Sequence, residues 1–151
     1  MTQTVAQPAA EIAADPALFL EVQHFYGRQM RHLDEGRVDA WAETFTEDGV
    51  FQANAHPKPQ SGRAAIRAGA TAAHQTLAEQ GITRRHWLGM LEVATAADGT
   101  IVAQTYAMVL NTPQGGKAEL TLSCACRDSL VRVDGTLQVR HRWVTRDDLP
   151  K

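Results

Sequence analysis

Four β-like stretches fill the second half of the chain, at about 83–95, 100–111, 117–131 and 136–145. Asp98-Gly99, Pro113-Gln114-Gly115-Gly116 and Asp134-Gly135 connect them. These are turn-forming sequences, and connections so short force neighbouring strands to run antiparallel. A four-strand meander is therefore the frame that everything before Ile82 has to cover. A sheet of this kind, if curved, must bury its concave side against another layer.

The first half supplies that layer. Asp15-Pro16 reads as a helix start, with a side-chain acceptor at the cap and proline where no amide hydrogen is needed. Leu18, Val22, Phe25, Tyr26, Met30 and Leu33 then recur at three- and four-residue spacing, so one apolar stripe runs to about Asp34, and Glu35-Gly36 ends it. A shorter helix opens at Asp39-Ala40-Trp41, with Trp41 and Phe45 one turn apart. Glu47-Asp48-Gly49 reads as a turn and Val50 to Ala53 as a brief strand. His56-Pro57-Lys58-Pro59 excludes regular structure, since two prolines break either ladder. Ser61 is the expected cap of a third helix that carries Ile66, Ala70, Ala73 and Leu77 on one face and stops at Gly81. The order is helix, helix, strand, helix, meander: an α+β fold with three N-terminal helices on one face of a curved antiparallel sheet. Helices that cannot fill a strongly curved hollow leave a pocket.

Composition narrows the partners. At 151 residues the chain is expected to hold a loose tail over 1–14 and a single domain over 15–151. Apolar residues make up 44% and charged residues 21%, which places it among globular proteins. A net charge of −2 gives no footprint for nucleic acid or an anionic membrane surface. No apolar run approaches the roughly 20 residues of a membrane helix, and the alanine-rich start lacks the pattern of a secretory signal. Cys124 and Cys126, two apart on a strand, share a face but are poorly placed to bridge each other, in keeping with a reducing cytoplasm. Metal-ligand spacing and a phosphate-binding glycine loop are both missing, so no metal or cofactor is expected.

Leu33-Asp34-Glu35-Gly36, then Trp41, then Phe45-Thr46-Glu47-Asp48-Gly49-Val50-Phe51, in this element order, resemble the NTF2-like superfamily and more nearly its SnoaL-like and scytalone-dehydratase-like branch. The resemblance runs from about Phe19 to Val144. The stretch Phe25 to Phe51 and the Arg85-His86-Trp87 strand are similar to bacterial aromatic polyketide-tailoring members of the actinorhodin-pathway type. It implies a cone-shaped fold and removal of water from a cyclic polyketide alcohol without metal or organic cofactor. The aspartate after the first helix and the histidine on the first meander strand fall on Asp34 and His86. The family's tyrosine before the aspartate is Leu33 here, a second pocket histidine is replaced by Asn111, and serine and asparagine on the third long strand by Cys124 and Cys126. The ketosteroid-isomerase pattern fits less well, because its general base falls near Ala53. The resemblance further implies a homo-oligomer, a dimer in preference to a trimer, packed through the outer sheet face where Tyr106 and Trp143 fall.

The chemistry follows from residue type. An imidazole, with an ordinary pKa of about 6.5, both accepts and donates a proton near neutrality. A carboxylate on its far nitrogen fixes the tautomer, so Asp34 and His86 are the expected catalytic pair. Strand parity puts His86, Leu88 and Met90 on one face, and spacing by four aligns Tyr26, Met30 and Asp34 on the helix. Cys124 and Cys126 share parity with Leu120 and Leu122. Taken together with the positions that the resemblance implies, Asn111 among them, the substrate-contacting set is Tyr26, Met30, Trp41, Phe51, Met90, Asn111, Cys124 and Cys126, around the small hydrophobic aromatic molecule the resemblance implies. The competing readings are structural: His86 as a satisfied core histidine, Asp34 as a helix-end cap, Tyr26 as core, Asn111 as a turn residue. His24, His32 and His74 read as solvent-facing, His56 as part of a lid over the pocket mouth, and His141 as lying opposite Arg140 and Arg142. The alternative functions are a non-catalytic metabolite-binding or accessory subunit, and an isomerase or epoxide-opening cyclase. The last would need Glu92, Glu119 or Asp128 to face inward.

Overall fold

Asp15 begins the first helix as its sequence dictates: the carboxylate Oδ1 accepts the Leu18 amide at 2.9 Å, with proline next in line. The computed structural model describes residues 11–151. The elements are β1 (Ile12–Ala13), α1 (Pro16–Asp34), α2 (Val38–Ala42), β2 (Phe45–Ala53), β3 (Gln60–Ser61), α3 (Arg63–Glu79), β4 (Ile82–Thr95), β5 (Ile101–Pro113), β6 (Glu119–Val133) and β7 (Thr136–Arg146). The four long strands occupy the four stretches expected. They sit in one seven-stranded sheet of order β1-β4-β5-β6-β7-β2-β3. The three helices pack on it, and the apolar stripe of α1 supplies Val22, Phe25 and Tyr26 to the core alongside Phe45, Ile66, Leu130 and Val139.

Several local expectations need correction. Of the tail over 1–14, residues 1–10 lie outside the described residues, but Ile12 and Ala13 pair with Thr95 and Ala94 as an edge strand. Residues 45–49 belong to β2 and not to a helix followed by a turn. β2 runs parallel to β7, with an irregularity between Phe45 and Val50, so the sheet is antiparallel everywhere except at this pair. Ser61 does not cap α3. It pairs with Val50, and the capping position is Gly62 at φ +92°, a conformation glycine adopts without a Cβ clash.

Two bulges control which side chains face the helices. Between Gly89 and Glu92 of β4 two residues oppose one on β5, and Met90 takes φ +52° there. Between Ser129 and Leu130 of β6 the partner strand has an extra residue, Arg140. Each insertion reverses the inward and outward alternation of the strand beyond it.

Candidate functional site

Asp34 is the last residue of α1, and the chain turns away at Gly36 (φ +75°), so its side chain projects from the helix end toward β4. There it makes two contacts with one residue. Oδ2 accepts the backbone N–H of His86 at 2.9 Å, and Oδ1 lies 2.6 Å from the ring Nδ1. The backbone contact locks the carboxylate in place, so the ring contact is directional. With Nδ1–H donating to Asp34, Nε2 is the nitrogen left to act as a base, and it has no partner among the described residues. The Asp34 side chain is 8% exposed and that of His86 22%, so the carboxylate is sheltered while the imidazole stays reachable.

The imidazole faces a cavity of about 510 Å³, within the range of small-molecule sites. The cavity exists because the side chains that oppose one another are short. Ala70 and Ala73 of α3, Ala107 of β5 and Ala53 of β2 are all in its lining, and methyl groups do not span the hollow of a curved sheet. Met30, Trp41, Phe51, Cys124 and Cys126 line it as expected, with Leu88, Val109 and Leu122. Trp41 is 4% exposed, and its indole N–H is buried without an acceptor among the described residues. Burial pushes the Cys126 thiol up to about 12 and raises that of Cys124. His56 and His74 are both exposed and both line the opening, His74 packed over Gly36.

Three expected contact residues are elsewhere. Met90 is 78% exposed, because the β4 bulge turns it to the outer face. Asn111 does not line the cavity; its Oδ1 accepts Arg84 Nε at 2.9 Å across the β4–β5 ladder. Tyr26 is buried beneath the cavity wall, and its hydroxyl donates to Asp128 Oδ2 at 2.7 Å. Leu120, expected beside Cys124, is 58% exposed, since a register shift near Leu110 separates it from Leu122.

The sequence reading missed the group that Tyr26 serves. Arg142 donates Nε to Asp128 Oδ1 at 2.9 Å and Nη2 to Asp128 Oδ2 and to Gln29 Oε1, each at 2.7 Å. Gln29 Nε2 donates onward to Thr44 Oγ1 at 2.7 Å. Burial alone would lower the Arg142 guanidinium, but Asp128 outweighs it and the net direction is up. Burial, then the Asp128 charge, raises the Tyr26 hydroxyl well above its ordinary value. The bulge at Arg140 separates the two arginines that plain alternation would pair: Arg142 points in, Arg140 stays exposed, and His141 stacks on Trp143 with ring centroids 3.5 Å apart. Arg84 is a second missed residue. It lines the cavity two positions from His86, and strand parity alone carried that signal.

The helices on a curved sheet, with a carboxylate-held histidine at the wall of the hollow, define an NTF2-like fold, and among the described residues no helix is long and apolar enough to cross a membrane. Among the described residues no group of three His, Cys, Asp or Glu side chains is placed to hold a metal ion. The SnoaL-like domain model matches residues 18–143, and the chain belongs to that family. Solved structures agree. Aln2 from a Streptomyces species is 38% identical over 90% of this chain and 95% of its own, with a TM-score of 0.83. ActVI-ORFA from Streptomyces coelicolor is 37% identical over 91% of this chain and 100% of its own, with a TM-score of 0.84. A Catenulispora acidiphila protein in complex with S-DNPA is 38% identical over 89% of this chain and 96% of its own, with a TM-score of 0.79. A search of curated proteins found no match.

Proposed function

We propose that this protein is a cofactor-free dehydratase or cyclase that acts on an aromatic polyketide intermediate by proton transfer through His86. The observation that carries the reading is the 2.6 Å Asp34–His86 contact at the wall of a largely apolar cavity. Membership of the SnoaL-like family and similarity to Aln2 and ActVI-ORFA support a polyketide-tailoring role. His86 Nε2 takes the proton next to a substrate carbonyl, and the electron pair moves into the ring system. The leaving hydroxyl then departs with the proton from Nε2, so water is released and the imidazole is regenerated. Asp34 holds the tautomer and stabilises the imidazolium between the two steps.

General acid–base help of this kind is worth about 10²–10⁴-fold. Loss of water from hydroxylated bicyclic ketones, followed by mass spectrometry, is the direct test: His86→Ala should lose that factor in kcat while remaining folded at the assay temperature. Turnover at the parental rate by a folded His86→Ala variant would sink the assignment.

The outer sheet face supports a second element, self-association. Trp87 and Tyr106 are 66% and 65% exposed, and Met108, the cross-strand partner of Trp87, is 41% exposed. Three large apolar side chains on adjoining strands form a patch of the kind that marks protein contacts. The partner proposed is a second copy of this chain, as a homodimer. Sedimentation should give a dimer for the parent and a monomer for Trp87→Glu/Tyr106→Glu.

A further inference from the structure

A base that removes a proton next to a carbonyl leaves a negative charge on the carbonyl oxygen, and something in the site has to receive it. We propose that Arg84 is the group that does so, a catalytic residue that donates its free guanidinium N–H groups to the developing enolate oxygen; this rests on the reading of His86 as the base. Arg84 and His86 alternate on β4, so they lie on one face of the strand with Cα atoms about 7 Å apart. Both line the cavity.

The guanidinium is anchored through one nitrogen and otherwise uncommitted among the described residues. Its Nε is held at 2.9 Å by Asn111 Oδ1, a neutral acceptor that orients the group without cancelling its charge. Among the described residues no carboxylate lies within ion-pair distance, in contrast to the other two cavity arginines: Arg142 is locked to Asp128 and Arg146 to Asp148. Asp34 is near enough to attract it, but both Asp34 oxygens are occupied by His86. Burial lowers the Arg84 guanidinium from its ordinary value, the mark of a cation drawn partly out of water. In such a place a charge–oxygen contact is stronger than at the surface.

The step balances. The C–H electron pair becomes the C=C bond of the enolate as its proton goes to His86 Nε2, and the oxygen takes the charge beside Arg84. The enolate then re-forms the carbonyl and expels the β-hydroxyl, which leaves with the Nε2 proton as water. The substrate class is therefore a β-hydroxy ketone on a fused-ring frame, with the carbonyl on the Arg84 side of the acidic carbon.

A naphthol imitates that enolate, because its oxygen anion is conjugated with a flat bicyclic ring. Bound 2-naphthol can be titrated by its absorbance, with the protein's Asp34, His86, His56 and His74 common to every variant compared. The naphthol should ionise at least one pH unit lower in the parent than in Arg84→Gln, with Arg84→Lys between them. In turnover, Arg84→Gln should lose about 10²–10³-fold in kcat with little change in KM, the loss typical of removing one oxyanion donor. Equal ionisation in parent and Arg84→Gln, or failure of 2-naphthol to enter the parent at millimolar concentration, would overturn the proposal. The two assignments separate cleanly. A His86→Ala variant with parental turnover but an undiminished naphtholate preference removes the base and leaves Arg84 in place.

Discussion

The two ends of the cavity each hold a buried aspartate, and they use it in opposite ways. Tyr26 and Asp34 are eight residues apart on α1, about 12 Å along the helix. At the Tyr26 end, Asp128 accepts from Arg142 twice and from Tyr26, and Arg142 also reaches Gln29. At the Asp34 end the carboxylate meets only His86, and the ring keeps Nε2 free. A closed network stabilises or specifies structure, whereas an open one has capacity left for a ligand. Asp128 does face inward, as an epoxide opener would require, but three donors already occupy it.

The sharpest way to break this contrast is at Arg142. Arg142→Met strands a buried carboxylate, and loss of one partner from a buried pair costs about 3–5 kcal/mol. Chemical denaturation should show that loss, while His86→Ala, at a part-exposed ring, should cost far less. Activity should invert the order. Asp34→Asn frees the ring tautomer and should lower kcat by up to about 10²–10⁴-fold, the range for acid–base help, whereas Tyr26→Phe should leave the chemistry nearly intact. In stability Tyr26→Phe should cost about 1.5–3 kcal/mol, the value of a hydrogen bond to a charged group.

The smallest effects concern pH. Tyr26 and Cys126 both ionise higher in the folded protein than in the unfolded chain, so the fold holds their protons more tightly. Their contribution to stability is complete below the unfolded values of about 8.5 for cysteine and 10 for tyrosine. It falls as pH rises through the folded values, about 12 for Cys126. Alkaline titration of the denaturation midpoint should therefore decline from near pH 9. Iodoacetamide, which alkylates sulfur only through attack by the thiolate, should modify neither cysteine at pH 8 until urea unfolds the protein. Rapid labelling of the native protein would show that the Cys126 wall is open to water.

The contact between Asp34 and His86 was legible because each lies in regular structure: one at a helix end marked by Glu35-Gly36, the other in a strand of clean alternation. Met30, Trp41, Phe51, Cys124 and Cys126 do line the cavity, although the parity argument for the cysteines held only from Leu122 onward, past the register shift that turns Leu120 out. Met90 and Arg142 were not, because each follows or sits at a bulge, and one inserted residue exchanges the two faces of a strand. Asn111 was placed too close to the substrate: it touches Arg84, not the cavity.

By itself the amino-acid order determined the helix caps, the turn-linked meander and the apolar stripe of α1. These are local matters, set by backbone dihedral preferences and by periodicity within a few residues. Tertiary structure alone decided the parallel docking of β2 on β7, the position of the two bulges, and the closure of Asp128 around Arg142, Tyr26 and Gln29. Those choices depend on hydrogen bonds and charge pairs between residues up to 113 apart, whose energies no short window of sequence contains.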